Sequence, residues 1–98
     1  MEKNFKDIWQ AALAQIQLNI SPANFSTWFK NTEIIAIKSG EAIIAVPNAF
    51  SKEWLENKYY KLILKILNKL NPEIKKLGFT VKKTKTLSFE NPQTVLEK

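Results

Sequence analysis

Apolar positions fall at intervals of three and four through Phe5, Ile8, Trp9, Ala12, Leu13 and Ile16, which predicts an amphipathic helix over Phe5–Leu18. Ser21-Pro22 predicts a second helix start, with the serine as N-cap and proline at the first helical position, where no amide partner is needed. The short helix that follows carries Phe25, Trp28 and Phe29. Thr32–Ile37 and Glu41–Val46 are rich in Ile, Ala and Val, and the turn pair Ser39-Gly40 lies between them, so they read as a β-hairpin. Pro47-Asn48 ends the second strand, and Asn48 can cap the next helix. From Phe50 through Trp54, Leu55, Tyr59, Ile63 and Leu67 to Leu70 the helical spacing continues unbroken, predicting one long helix of about twenty residues. Asn71-Pro72 breaks it. Leu77, Phe79 and Val81 then alternate with Gly78, Thr80 and Lys82 as a half-buried strand does.

The order is ααββαβ, an α+β domain with a three-stranded sheet packed against helices. Ninety-eight residues suffice for one such domain and no more. It is placed at residues 1–83, with no internal repeat. Over residues 84–98 the apolar density drops and Asn91-Pro92 intervenes, so this stretch reads as a tail or the start of a flexible linker, although Leu87 and Phe89 leave packing onto the domain open.

Composition narrows the chemistry. The chain has no His, no Cys and no Arg, a single Asp at Asp7, and two glycines, Gly40 and Gly78. Thiolate nucleophiles, imidazole bases and ordinary zinc sites are thereby excluded. Neither G-x-x-x-x-G-K-[ST] nor G-x-G-x-x-G occurs, so no phosphate-cradling loop can be drawn. Glu33, Glu41, Glu53, Glu56 and Glu73 sit among polar neighbours and read as solvated surface. The expectation is a protein that is not an enzyme and carries no metal and no cofactor. The absence of cysteine fits a reducing compartment. No basic segment precedes an apolar one at the N-terminus, and no apolar run approaches the ~18 residues a membrane span needs, so a cytoplasmic protein without membrane contact is expected.

The net charge of +6 is unevenly placed: residues 1–50 hold four Lys and four acidic residues, whereas residues 51–98 hold eleven Lys and five Glu. Lys52, Lys58, Lys61, Lys65 and Lys69 fall on the polar side of the long helix. Lysine is a point charge without arginine's planar fork, so a contact to nucleic acid there would be mostly backbone electrostatics, weak and salt-sensitive. The plainer reading is a solvated face whose later lysines complement the helix dipole.

Several separated blocks occur in a distinctive order: Ile8-Trp9-Gln10, Phe25-Ser26-Thr27-Trp28-Phe29, Val46-Pro47-Asn48-Ala49-Phe50, Glu53-Trp54-Leu55 and Lys58-Tyr59. Together they resemble the N-terminal domain (domain I) family of the bacterial replication initiator DnaA over residues 5–83. The resemblance implies a KH-like arrangement, no ATPase activity of its own, and a role as a protein-protein interaction module. Implied partners are the replicative helicase, other initiator copies in a weak homodimer, and initiator-regulating proteins. In the whole initiator a linker, an AAA+ ATPase domain and a duplex-DNA-binding helical domain would follow; none of these lies in this sequence, which suits a fragment or a standalone relative.

Three positions carry over by resemblance. Trp9 matches a helix-one tryptophan implicated in self-association, with a core role as the alternative. Phe50 matches the aromatic that contacts the helicase, with a first-turn core role as the alternative. Asn24 stands where some members have a glutamate that meets helicase and regulators. At the third helical position asparagine is too short to close a capping box well, so both a charge and some local stability are lost. Trp28, Trp54 and Tyr59 are assigned to the core.

Two other functions fit the same residues. One is a KH-like module binding single-stranded nucleic acid weakly through the lysines, although such modules clamp the backbone with a G-x-x-G loop that this sequence lacks. The other is a small initiator-like regulator that competes for the initiator's partners.

Overall fold

A computed structural model describes residues 4–82. The expected tail at 84–98 and the boundary at residue 83 lie outside the described residues. Four helices and three strands follow in the order α1 (Phe5–Gln17), α2 (Pro22–Phe29), β1 (Glu33–Lys38), β2 (Glu41–Val46), α3 (Ala49–Asn57), α4 (Tyr60–Leu70) and β3 (Lys76–Val81). The α+β class and the three-stranded sheet agree with the sequence pattern. The long helix does not: it is two helices.

The interruption falls at Lys58-Tyr59. Lys58 stays in the right-handed helical region and its amide donates to the Trp54 carbonyl at 2.8 Å, while Tyr59 sits at φ −111°, ψ 3°. Tyr59 has left helical geometry, but the interruption is only two residues long and the buried positions Leu55, Tyr59 and Ile63 keep their fourfold spacing across it, so periodicity cannot reveal the bend. What requires the bend is packing. α3 lies against β2, β3 and α2, whereas α4 lies mainly along α1. Tyr59, 6% exposed, occupies the corner and meets Phe29 edge-to-face at 5.4 Å.

β2 is the central strand, antiparallel to β1 and parallel to β3. The parallel pair is joined by the α3–α4 crossover, as a parallel connection must be. Ser39 and Gly40 both have positive φ, 50° and 80°, which matches the two-residue turn whose twist suits a hairpin. The Gly40 carbonyl accepts from the amides of Lys75 and Lys76 at 2.7 and 3.1 Å, tying the hairpin tip to the entry of β3. A Cβ at Gly40 would lie 3.1 Å from the Glu73 carbonyl oxygen, so the turn and this close approach both favour glycine.

The hairpin is not regular. Ile34 pairs with Ile44 but Ala36 pairs with Ile43, leaving Ile35 as a bulge residue that is half exposed. The extra residue reverses the side-chain alternation, so Ile34 and Ile37, three apart, both join the core with Ala42, Ile44, Val46, Leu77 and Phe79. Helix residues Ile8, Trp9, Ala12, Ile16, Leu55, Ile63 and Leu67 close that core.

Trp9 belongs to it as well. The ring is 2% exposed, and its indole N–H donates to the Thr32 hydroxyl at 3.0 Å, which in turn donates to the Phe29 carbonyl at 2.6 Å. α1, the end of α2 and the start of β1 are pinned by this relay. Of the two roles left open for Trp9, the structure shows the core one: an apolar ring with a satisfied N–H is interior material. Trp9→Ala is expected to cost about 3–5 kcal/mol of stability, and Trp9→Phe, which removes the indole donor, about 1–2 kcal/mol. Urea unfolding followed by circular dichroism measures both, and a loss below ~1 kcal/mol for the alanine would contradict burial of the ring.

Candidate functional site

Ser21 caps α2 from an extended conformation, its hydroxyl accepting from the Asn24 amide at 3.2 Å, with Pro22 at the helix start. In eight residues this helix divides its aromatics between two sides. Phe25 and Phe29, one turn apart, stack at 5.8 Å and lead inward to Tyr59. Trp28 faces α3, where it meets Trp54 at 4.9 Å and Phe50, edge-to-face, at 5.4 Å.

α3 supplies the rest. Asn48 caps it, its Oδ1 accepting from the Ser51 amide at 2.8 Å, and Ser51 is buried beneath that first turn. Ser51 and Leu55 are the helix's inward residues, so Phe50 and Trp54, four apart, share another face with Lys58 one turn further on. The Lys58 ammonium lies 5.5 Å from the Trp54 ring centroid, a cation–π distance worth about 0.5–1 kcal/mol at an exposed position. Phe50, Glu53, Trp54, Asn57 and Lys58 line an open cleft of about 730 Å³.

Phe50 is 66% exposed. No core lies on its side of α3, and among the aromatic contacts found only the edge-to-face contact with Trp28 steadies it. An exposed aromatic on a semi-rigid aromatic support is what binding hot spots are made of, because a partner can bury a large area at little cost in side-chain entropy. Asn24 is also exposed and precedes Trp28 by one helical turn, so Asn24, Trp28 and Phe50 follow one stripe across α2 and α3.

The structure thus brings Asn24 and Phe50 to the same side and takes Trp9 to the interior. Tyr59 is core, as expected; Trp28 is half-buried and packs against that core from its edge, and Trp54 is half-buried outside it. The fourfold spacing of Phe50, Trp54 and Lys58 was the available signal for this stripe; that Trp28 completes it depends on how α2 docks. The five lysines do not form one face. Lys52 is paired with Glu56 at 3.1 Å, Lys58 lies on Trp54, and Lys61, Lys65 and Lys69 belong to α4 beyond the bend. The α3–α4 connection, Lys58-Tyr59, contains no glycine, so the nucleic-acid clamp of a KH module has no counterpart there. Among the described residues no group of three or more potential ligands is placed to hold a metal ion, and no helix is long and apolar enough to cross a membrane.

Known proteins with this sequence and fold are consistent. The family model described as "DnaA N-terminal domain" matches residues 6–69. A chromosomal replication initiator protein DnaA from Thermomicrobium roseum is 40% identical over 76 residues, which are 78% of this chain and 16% of the relative. The chain therefore spans a small part of that relative's length. Among solved structures, a chain from the crystal structure of a HobA–DnaA (domain I-II) complex from Helicobacter pylori superposes with a TM-score of 0.67 at 21% identity, covering 79% of this chain and 99% of that chain.

The aromatic stripe should separate stability from exposure. Phe50→Ala is expected to change unfolding free energy by no more than about 1 kcal/mol, and Trp28→Ala, which removes the support of both neighbours, by about 2–3 kcal/mol; urea midpoints of the two variants decide it. Asn24→Glu should raise stability by a few tenths to about 1 kcal/mol by closing the capping box with Ser21, and an unchanged midpoint would show that the box does not form.

Proposed function

This chain belongs to the DnaA N-terminal domain family, and from that premise we propose that it is a protein-protein interaction module of a replication initiator, recruiting the replicative helicase through the Asn24–Trp28–Phe50 stripe. Initiator regulators engage the same surface in competition. The observation that carries the reading is the largely exposed Phe50 ring standing on Trp28 beside the Trp54 cleft. Nothing in the interior asks for that ring, so its area is available to a partner.

One solved structure of similar fold is a HobA–DnaA (domain I-II) complex, which supports a partner-binding role for this kind of domain. The module acts by contact and not by catalysis, needs no cofactor, and works in the cytoplasm, where the helicase is. The stripe is short, so each partner is expected to cover roughly 600–800 Å² of it, at the low end of specific interfaces. Asn24 in place of a glutamate keeps a hydrogen-bonding group but offers no charge, which shifts preference away from partners that present a cation there. Weak pairing of copies would use the outer surface of α1, with Trp9 as internal support.

The test is an NMR titration of the labelled chain with the replicative helicase of the same source. Shifts or broadening at Asn24, Trp28, Phe50 and Trp54, with affinity weakened about tenfold or more by Phe50→Ala, are expected. A titration that leaves these residues unmoved would refute helicase recruitment by this surface.

A further inference from the structure

The bend at Lys58-Tyr59 changes the meaning of the lysines that follow it. In a single long helix they would lie in the C-terminal half, where the dipole welcomes cations. In the structure α4 begins at Tyr60, so Lys61 stands in a first turn, against the dipole, and only Lys69 lies in the last turn. α4 contains no acidic residue, and Lys61, Lys65 and Lys69 follow one another at fourfold spacing, each exposed, repelling their neighbours. The ion pairs found among the described residues involve Lys52 and Lys82, not these three. Neither dipole nor ion pairing accounts for this row.

Beside it runs a groove of about 310 Å³ lined by Lys61, Leu64, Lys65, Asn68, Ile74 and Lys75. Its wall is held in place: the Asn68 side-chain amide donates to the Ile74 carbonyl at 2.8 Å and to the Pro72 carbonyl at 3.3 Å, fixing the turn after α4 against the helix. Ile74 is buried beneath it, so its apolar floor is the half-buried Leu64 with the aliphatic stems of the lysines; the rim carries three cations, and no carboxylate lines it.

We propose that this groove between α4 and the turn leading to β3 docks an acidic, amphipathic segment of a protein partner, its aliphatic side chains on Leu64 and the lysine stems and its carboxylates on the Lys61, Lys65 and Lys75 ammonium groups. A single-stranded nucleic acid would also answer the charge, but such sites stack bases on aromatic rings. The groove has none, and the chain has no arginine to substitute. An apolar floor inside a basic rim matches the helix-in-groove mode of peptide recognition, with charge setting partner choice. The surface is distinct from the aromatic stripe and does not depend on what binds there.

The probe is a synthetic helical peptide with leucines at three- and four-residue spacing flanked by glutamates, titrated into the labelled 98-residue chain. Saturable shifts at Lys61, Leu64, Lys65, Asn68 and Lys75 are expected, weakening with added salt. The double reversal Lys61→Glu with Lys65→Glu should weaken binding about tenfold or more, and because both side chains are exposed and Glu suits a helix start, the fold is kept. Phe50→Ala should leave the affinity unchanged. Lack of saturation, equal binding by the reversed variant, shifts centred on Phe50 and Trp54, or tighter binding of an oligothymidylate to the same residues would each overturn the proposal.

Discussion

The edge-to-face contact between Phe29 and Tyr59, 5.4 Å between ring centres, holds the corner on which the other elements depend. Tyr59 sits where α3 gives way to α4, and Phe29 sits where α2 ends, so one aromatic pair fixes both a bend and the helix that crosses it. The bend lets α3 reach the sheet while α4 lies along α1. A straight helix of the same length, about 30 Å, would have had to leave one of those surfaces uncovered. Close to this corner Thr32 takes the Trp9 indole N–H and returns its own hydroxyl to Phe29, linking the corner to α1.

The aromatic stripe and the core are two sides of the same short helix. α2 sends Phe29 into the interior and turns Trp28 toward Phe50 and Trp54. The exposed stripe is therefore only as well placed as the buried contact behind it, and disturbance of the interior near Trp9 or Tyr59 reaches the stripe without touching it. This is a reason to expect interior and surface substitutions to impair partner binding in different ways, one through stability and the other through lost contact.

Most elements were legible because their signals are local. The start of α2 at Ser21-Pro22, the cap at Asn48 and the turn at Ser39-Gly40 depend on the side chain or backbone freedom of one or two residues, and each appears where the chain announces it. The blocks that resemble the DnaA domain were equally legible, being strings of residues. The bulge at Ile35 was not, because Ile-Ile-Ala-Ile satisfies either alternation until the partner strand decides which isoleucines face inward. Nor was the division of the long helix, whose apolar phase survives the bend. Phe50 stood out by resemblance to the family, but Trp28 and Trp54 read as core, since large aromatics at helical spacing fit a core and a rim equally well.

The sequence by itself determined the α+β class, five of the seven elements as separate units with α3 and α4 read as one, the absence of nucleophile and metal chemistry based on His or Cys, and the family. The first three follow from composition and from spacing over a few residues, and the family from blocks of residues that resemble it. Tertiary structure decided the rest: that Trp9 is interior, that Phe50 is not, and that five lysines fall into separate settings. Exposure and charge grouping are properties of how distant segments meet, and the lysines were divided by a corner two residues long, too short to disturb the apolar spacing on either side of it.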